Sequence, residues 1–337
     1  MAQMKYFYEL TISSSPHVHS STTTKTIMRD VLIALLPAMV AGIAFFGFRA
    51  LTVTLVAVLS CVLFEKLYCK MTGMDDKTYD LSACVTGVLL AFVCPVTIPY
   101  WTIVLGAMFA IMLVKMLFGG LGRNIVNPAL AGRAFMFSWP VLMSTWIAPG
   151  FANAAPVIGK GAAIEAVDIV TAATPLANMH QGIMCEETIG QLFIGNIGGC
   201  IGETSALALL IGFGYLLARK VITARIPLTY IATVAVLTFL FPQGNDRIAW
   251  MAAQVLGGGL LLGAIFMATD YVTSPVTKLG QIIYAIGCGV LTVMIRYFGG
   301  YNEGVSYAIL CMNTCVVLLD RIGRPVKFGA PKKEAAK

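Results

Sequence analysis

The apolar residues of this chain come in long blocks rather than in alternating patterns. Residues 31–48, 101–118 and 248–268 are nearly free of charged side chains. About 20 such residues span the hydrocarbon core of a bilayer as a helix. In lipid, only helices and closed barrels satisfy their own backbone, and these runs lack the strict alternation of barrel strands. The pattern therefore predicts an all-α, polytopic membrane protein.

Ten apolar segments are predicted to be membrane helices, several of them short for a full crossing. They cover residues 31–48, 51–67, 81–93, 101–118, 128–147, 206–218, 226–241, 248–268, 282–297 and 306–319. The glycine-rich residues 191–202 are a candidate to enter the membrane ahead of the sixth helix. The chain then divides into a cytoplasmic segment 1–27, a five-helix unit 28–147, an extracytoplasmic loop 148–190, a second five-helix unit 191–322 and a basic tail 323–337.

Composition supports this prediction. Hydrophobic residues make up 58% of the chain and charged residues 12%, against about 25% in a soluble domain. The first 27 residues lack the short apolar core of a cleavable signal peptide, so we expect the first membrane helix to direct insertion. The nine cysteines form no CxxC pair, and Cys311 and Cys315, on one helix face, are a weak ligand pair; we expect no metal site.

The basic residues predict the orientation. With the N-terminus in the cytoplasm, only Arg49, Lys160, Arg247 and Arg296 of the 23 Lys and Arg residues fall on the outer side. The other 19, Arg133 among them, collect at inner helix ends, as positive charges do in membrane proteins. This predicts a protein of the bacterial cytoplasmic membrane with both termini in the cytoplasm and the loop 148–190 outside.

Two short motifs indicate an internal repeat. Pro-Val-Thr occurs at residues 95–97 and 275–277, and Phe-Gly-Gly at 118–120 and 298–300, both with an offset of 180 residues. Five predicted helices separate the copies, so the copies must face opposite sides of the membrane. This predicts a five-plus-five inverted repeat, an arrangement that builds binding sites near the bilayer midplane.

The outer loop contains a candidate modification site. Small residues around Thr174 predict an accessible hydroxyl, and Pro175 biases Thr174 toward an extended backbone. An exposed, extended threonine is a possible acceptor for a modifying enzyme. Composition alone favours an ordinary turn before a helix.

The pattern Asp168-x-x-Thr171-x-Ala173-Thr174 resembles the flavinylation motif of the RnfD and NqrB family, with Ala172 where that family often has glycine. The resemblance implies that a flavin transferase joins FMN through its phosphate to Thr174 as a phosphoester. It implies recognition or orienting roles for Asp168, Thr171 and Ala173.

Other segments resemble the same family, so the likeness covers essentially the whole chain. They are residues 13–19, 118–133, 267–277, 303–310 and 320–325. The resemblance, which is to RnfD rather than to the longer NqrB, implies a urea-transporter-like fold and membership of a complex that couples ferredoxin–NAD electron transfer to Na+ or H+ transport. The implied partners are RnfA, RnfB, RnfC, RnfE and RnfG. A second, non-covalent flavin, riboflavin, has no residues assigned.

Four ionisable residues lie in or near apolar runs. Burying a charged side chain in a membrane is unfavourable, so such residues are candidates for a function. Arg133 is a candidate partner for a flavin's polar edge or phosphate, although charge counting favours an anchor at the cytoplasmic side. Glu203 and Asp270 are candidates for an ion path or a flavin contact. Lys115 is expected to extend to the inner surface.

Two other function classes fit a repeat with broken helices: a solute channel or transporter, and a scaffold that assembles other subunits without a cofactor. Fold alone does not separate them. Flavin content does, because neither alternative would carry one.

Overall fold

The computed structural model describes residues 22–74, 78–143, 146, 174–184, 187–244, 246–300 and 303–322. Most of the α- and π-helical elements in these ranges coincide with apolar runs of the sequence, and the exception, α7, lies in the predicted outer loop. The helices are α1 (Thr24–Phe46), α2 (Phe48–Thr72), α3 (Ser82–Phe92), α4 (Tyr100–Met108), α5 (Pro128–Met136), α6 (Pro140–Met143), α7 (Pro175–His180), α8 (Ile189–Ile194), α9 (Ala206–Ala218), α10 (Arg225–Leu240), α11 (Arg247–Leu256), α12 (Leu260–Leu262), α13 (Lys278–Phe298) and α14 (Val305–Leu319). Two π-helical segments continue α4 and α12, at Phe109–Met116 and Gly263–Met267.

Three of these helices, α1, α2 and α13, are long and apolar enough to cross a membrane. A fourth span exists if α11 and the stretch Leu260–Met267, bent by 58° against each other, count as one. The outer faces of the helices carry large exposed aliphatic side chains, among them Val40, Leu59 and Val236. The chain is therefore a helical membrane protein. The ten crossings remain a prediction.

Two predicted helices are wrong as single elements. The helix predicted at 128–147 ends at Met136, and a turn at residues 137–139 leads into the four-residue α6. Pro140 starts α6, since a proline disfavours helical backbone in the residue before it and lacks an N–H group of its own. The helix predicted at 248–268 bends at three consecutive glycines, 257–259, where Gly258 has a φ of +68°.

Residues 195–205, between α8 and α9, are non-helical and run into the protein core. The amide of Ile201 donates to the carbonyl of Cys94 at 3.1 Å, and that of Gly202 donates to the carbonyl of Phe92 at 3.0 Å. Cys200 and Ile201 are fully buried. Irregular backbone of this kind is tolerated in a membrane protein where protein groups satisfy it. These contacts place residues 200–202 inside the protein, and the entry of residues 191–202 into the membrane stays a prediction.

A second, smaller hydrophobic cluster lies apart from the main core. It joins α7, α8 and α11 through Leu176, Met179, Leu192, Ile197, Trp250 and Ala253. The indole N–H of Trp250 donates to the Tyr297 hydroxyl at 2.9 Å and so ties the cluster to the end of α13. This cluster holds the short helix that follows Thr174.

Candidate functional site

Thr174 forms the N-cap of α7. Its backbone is extended (φ −68°, ψ 148°), as Pro175 predicted, and its hydroxyl oxygen accepts a hydrogen bond from the amide of Ala177 at 3.3 Å. The side chain is buried, with 6% of its surface exposed, so the predicted accessible hydroxyl is wrong for this conformation. The cause is α7, which seats its first turn on the smaller hydrophobic cluster. Asp168, Thr171 and Ala173 lie outside the described residues.

Helix α7 is fixed to the end of α13 as well as to the cluster. The His180 Nδ1 atom and the carbonyl oxygen of Arg296 are 2.7 Å apart. At the other end of α7, Leu176 lies against Gly258, where an added Cβ would be only 2.3 Å from the Leu176 Cδ1 atom. Thr174 is therefore held at a defined place beside the glycine bend.

Thr174 lines a small cavity at this bend. The cavity measures about 10 Å³, room for a single water molecule. Its polar lining comes from Thr174, Glu203, Thr204 and Glu303, with Gly258 on one wall. Two carboxylates thus lie next to the candidate acceptor threonine.

Arg133 binds both carboxylates from inside the protein. Its Nη1 atom lies 3.4 Å from Glu203 Oε1 and donates to the Ser306 hydroxyl at 2.8 Å, and its Nη2 atom pairs with Glu303. Arg133 is 2% exposed and Glu203 4%. The pairing offsets the burial of these charges, which would be strongly unfavourable without partners.

The cytoplasmic-side anchor that charge counting favoured for Arg133 is therefore wrong. Arg133 lies in the last turn of the nine-residue α5 and reaches Glu203 and Glu303, which line the cavity beside Thr174. Charge counting assigns a basic residue to the nearest helix end and so misplaces one that is buried in a short helix. The other interpretation of Arg133, a contact with a flavin, stays a prediction.

Cys200, Glu203 and Glu303 have one ligand atom each within 4.8 Å of the others, a spacing that a metal ion would accept. Here both glutamates bind Arg133, and the Cys200 thiol donates to the carbonyl of Val93 at 3.3 Å. A cation would have to compete with a guanidinium already in place. The cluster is an ion-pair network in this arrangement.

Arg296 is a second buried guanidinium beside this network. Its Nη1 atom donates to the backbone and side-chain oxygens of Gln254, at 2.5 and 3.0 Å, and its Nε atom donates to the carbonyl of Glu303 at 3.3 Å. Its Nη2 atom has no hydrogen-bond partner in the part of the chain that the structure describes. A Cβ added to Gly258 would lie 3.5 Å from that atom.

Asp270 belongs to a different place, so the structure does not bring it together with Glu203. It accepts hydrogen bonds from the Thr273 hydroxyl at 3.1 Å and the Val272 amide at 3.4 Å. It lines a larger cavity of about 90 Å³ together with Lys115, Asn124 and Asn127. The two acidic candidates therefore occupy separate cavities.

The prediction that Lys115 extends to the inner surface is wrong. Its side chain is 2% exposed, and its ammonium group binds Glu65 at 2.9 and 3.0 Å and the Ser82 hydroxyl at 2.7 Å. The prediction considered the length of the lysine side chain but not the acidic residue of α2 that meets it.

Comparison with known proteins gives a family match over nearly the whole chain. The model of the NQR2, RnfD, RnfE family matches residues 11–329. The chain belongs to this family.

The relatives that resemble this chain are named as subunits of ion-translocating oxidoreductase complexes. The D subunit of the Na+-translocating ferredoxin:NAD+ oxidoreductase complex of Acetobacterium woodii is 46% identical over 333 residues, covering 97% of this chain and 98% of the relative. The D subunit of the proton-translocating ferredoxin:NAD+ oxidoreductase complex of Clostridium ljungdahlii is 42% identical, covering 95% and 96%. The D subunit of the ion-translocating oxidoreductase complex of Stutzerimonas stutzeri is 37% identical, covering 90% and 91%.

Three buried or half-buried residues in or beside the ion-pair networks around Arg133 and Lys115 were not predicted from the sequence. They are Glu303, Arg296 and Glu65. Glu65 and Arg296 carried a signal, since each is a charged residue in a largely apolar helix. Glu303 precedes α14 and falls in the segment 303–310 that resembles the family, but nothing in the sequence marks it as a partner of Arg133. Only its contact with Arg133, 170 residues away, marks it as part of the site.

Proposed function

We propose that this protein is the D subunit of an ion-translocating ferredoxin:NAD+ oxidoreductase complex, in which FMN esterified to Thr174 relays electrons. The names of the relatives and their coverage of the full chain support the assignment to such a complex. The activity would belong to the complex and not to this chain alone. One relative is named for Na+ and another for protons, so the proposal covers both ions.

The placement of Thr174 carries the cofactor part of the proposal. Its backbone is extended and its side chain lines a cavity. The cavity itself has room for only about one water molecule, so the phosphoester would extend out of it. Glu203 and Glu303 would repel the ester if they were unpaired, and Arg133 offsets this by binding both.

A bound flavin would supply the one- and two-electron chemistry. The chain's own residues have a different task, which is to fix where that chemistry takes place. Thr174 would supply the covalent bond, α7 would hold the position of Thr174, and Arg133 would lower the negative potential around it. Asp168, Thr171 and Ala173 are proposed to be read by the flavin transferase that attaches the cofactor.

Ion coupling is proposed to involve Glu203 and Asp270, the two acidic residues in the two cavities. A second, non-covalent flavin, riboflavin, stays part of the proposal without an assigned site. The five-plus-five inverted repeat and the urea-transporter-like fold remain part of the proposal. They are supported by the breaks at 93–99 and 268–277, each followed by a longer helical stretch, which is Tyr100–Met116 in one case and Lys278–Phe298 in the other.

The remaining assignments follow from the resemblance and the charge distribution. The proposed partners are RnfA, RnfB, RnfC, RnfE and RnfG. The proposed location is the bacterial cytoplasmic membrane, with both termini in the cytoplasm and the loop before Thr174 outside.

Flavin attachment is tested on the denatured polypeptide. A phosphoester survives denaturation, so the chain made together with its flavin transferase should fluoresce in a denaturing gel and gain the mass of one FMN minus one water. Thr174→Ala removes the hydroxyl and should abolish both signals. Thr174→Ser keeps a hydroxyl and tests whether the transferase requires threonine.

Thr188 provides a matched control. Like Thr174, it is the N-cap of a six-residue helix, and its hydroxyl accepts from the amide three residues on at 3.3 Å. Thr188→Ala should lose a similar cap, worth about 1 kcal/mol, and keep full fluorescence. A wild-type chain without flavin would contradict the proposal and favour a channel or a scaffold.

A further inference from the structure

The hydroxyl group that is proposed to carry the flavin belongs to a buried side chain. Thr174 is 6% exposed, and its hydroxyl oxygen accepts a hydrogen bond from the Ala177 amide in the first turn of α7. The cavity that this side chain lines has room for about one water molecule. A flavin donor therefore cannot reach the hydroxyl in the arrangement that the structure describes.

Capping a helix does not by itself bury a threonine. Thr188 caps α8 with the same hydrogen bond, from the amide three residues on at 3.3 Å, and is exposed. In α7 the first two residues, Pro175 and Leu176, are buried. At the start of α8, by contrast, Ile189 is 46% exposed. The burial of Thr174 thus comes from the packing of α7 against the protein and not from the cap.

Helix α7 is short, and the contacts that hold it are local. Leu176 and Met179 are 2% and 1% exposed and pack in the smaller hydrophobic cluster, apart from the main core. The His180 Nδ1 atom lies 2.7 Å from the carbonyl oxygen of Arg296. A six-residue helix depends on such contacts, since isolated helices shorter than about 12 residues are marginal in water. Helix α7 can therefore leave the cluster by local opening, without unfolding of the main core.

We propose that α7 gates flavin attachment, so that Thr174 is modified only while the first turn of α7 is lifted from the smaller hydrophobic cluster. The inference rests on the proposed flavinylation and adds the conformational step that must precede it. To form the ester, the Thr174 oxygen attacks the phosphorus of FMN in a donor that carries a second phosphate, as a flavin dinucleotide does. The bond to that second phosphate breaks, and a base takes the hydroxyl proton. The attacking and leaving oxygens lie roughly in line, so the donor needs free space around the hydroxyl.

The rate of attachment then follows the fraction of chains in which α7 is open. A partner that binds only a minor conformation binds more weakly by the population of that conformation. Variants that weaken the packing of α7 should therefore speed up attachment. If the same side chains instead served as recognition elements for the transferase, their loss would slow it.

The test measures attachment to folded, flavin-free protein. The full-length chain is produced without the transferase and purified in detergent. Transferase and flavin adenine dinucleotide are then added, and the initial rate is measured from the fluorescent band in a denaturing gel. Leu176→Ala removes a buried side chain from the contact of α7 with the cluster and should raise the rate roughly tenfold or more. His180→Ala removes one hydrogen bond and should raise the rate roughly fivefold.

Leu35→Ala is the matched control. Leu35 of α1 is a leucine of the main core with 1% exposure, while Leu176 belongs to the smaller cluster. This variant should lower the thermal unfolding midpoint and leave the rate of attachment unchanged, because α7 keeps its contacts. Hydrogen exchange of the peptide that contains Ala177 measures the opening of α7 directly. It should speed up in both α7 variants and stay unchanged in the control.

Attachment at or below the wild-type rate in Leu176→Ala would overturn the inference alone, as would faster attachment without faster exchange. An equal rise in Leu35→Ala would also overturn it, because general loosening of the fold would then be enough. If Leu176→Ala does not fold, His180→Ala decides by the same comparison. A folded wild type that resists the transferase, while the α7 variants accept the flavin, would support the inference. A wild-type chain without flavin even when it is produced together with its transferase would overturn the proposed function, and the inference with it.

Discussion

At the scale of single residues, buried charges meet their counter-charges inside the bundle. Lys115 reaches Glu65 of α2 and Ser82 of α3, while Arg133 reaches Glu203 and Glu303. Such pairs contribute little net stability compared with apolar side chains, but the loss of one partner leaves an uncompensated charge. Their presence in an apolar protein therefore favours a functional reason for keeping them.

The Lys115 pair gives a direct prediction. Glu65→Leu should destabilise the protein by about 3–5 kcal/mol, because the Lys115 ammonium remains buried without its carboxylate. Adding Lys115→Met should restore most of that loss, since both charges are then gone. Thermal unfolding of the two variants in detergent measures the difference. Arg219→Ala, which removes a half-exposed partner of Asp30, should have a smaller effect. A double variant no more stable than Glu65→Leu would contradict this account.

At the scale of elements, the glycine bend between α11 and α12 positions the Thr174 helix. Gly258 has a φ of +68°, which side-chain-bearing residues rarely adopt, and Leu176 of α7 packs directly on it. The bend therefore changes the direction of the chain and also provides the surface on which α7 packs. A side chain at Gly258 would displace α7.

Gly258→Ala should accordingly destabilise the protein more than Gly182→Ala does. Both glycines have a positive φ, so both alanine variants carry a backbone penalty of about 1 kcal/mol or more. Only Gly258 adds a clash, 2.3 Å from Leu176, whereas Gly182 has open space within 4 Å. Unfolding midpoints test this, and Leu176→Ala added to Gly258→Ala should recover part of the loss. Equal midpoints for the two glycine variants would rule out the clash.

The elements also show what sequence could and could not predict. The helix predicted at 206–218 coincides with α9. A continuous apolar run with polar residues at both ends defines where a helix begins and ends. The prediction of one helix at 248–268 was wrong at its three glycines. Glycine does not interrupt an apolar pattern, but its backbone permits a bend. For the site, the family motif gave Thr174. The pairing of Arg133 with Glu203 and Glu303 joins residues 70 and 170 positions apart, so it depends on tertiary packing that no local pattern records.

At the scale of the whole molecule, the candidate functional residues lie in two separate cavities. The small one contains Thr174 and Glu203, and the larger one contains Asp270 and Lys115. In the predicted topology they lie toward opposite sides of the membrane, since charge counting assigns Lys115 to the inner end of its helix and Thr174 to the outer loop. The burial of Arg133 and Lys115 removes two inner charges from that count, the burial of Arg296 removes one outer charge, and the asymmetry stays in place.

The predicted topology is tested by labelling single cysteines in intact cells. On a background without the nine native cysteines, Lys160→Cys and Lys332→Cys place one thiol in the loop before Thr174 and one in the basic C-terminal tail. A membrane-impermeant maleimide added from outside should label position 160 and leave position 332 unlabelled, because the excess of Lys and Arg holds the tail in the cytoplasm. Permeabilised cells provide the control, in which both positions should react. Labelling of position 332 in intact cells would mean that the orientation is the reverse of the predicted one and that the Thr174 cavity faces the cytoplasm. A covalent bond would then not be needed to keep the flavin from being lost outside the cell.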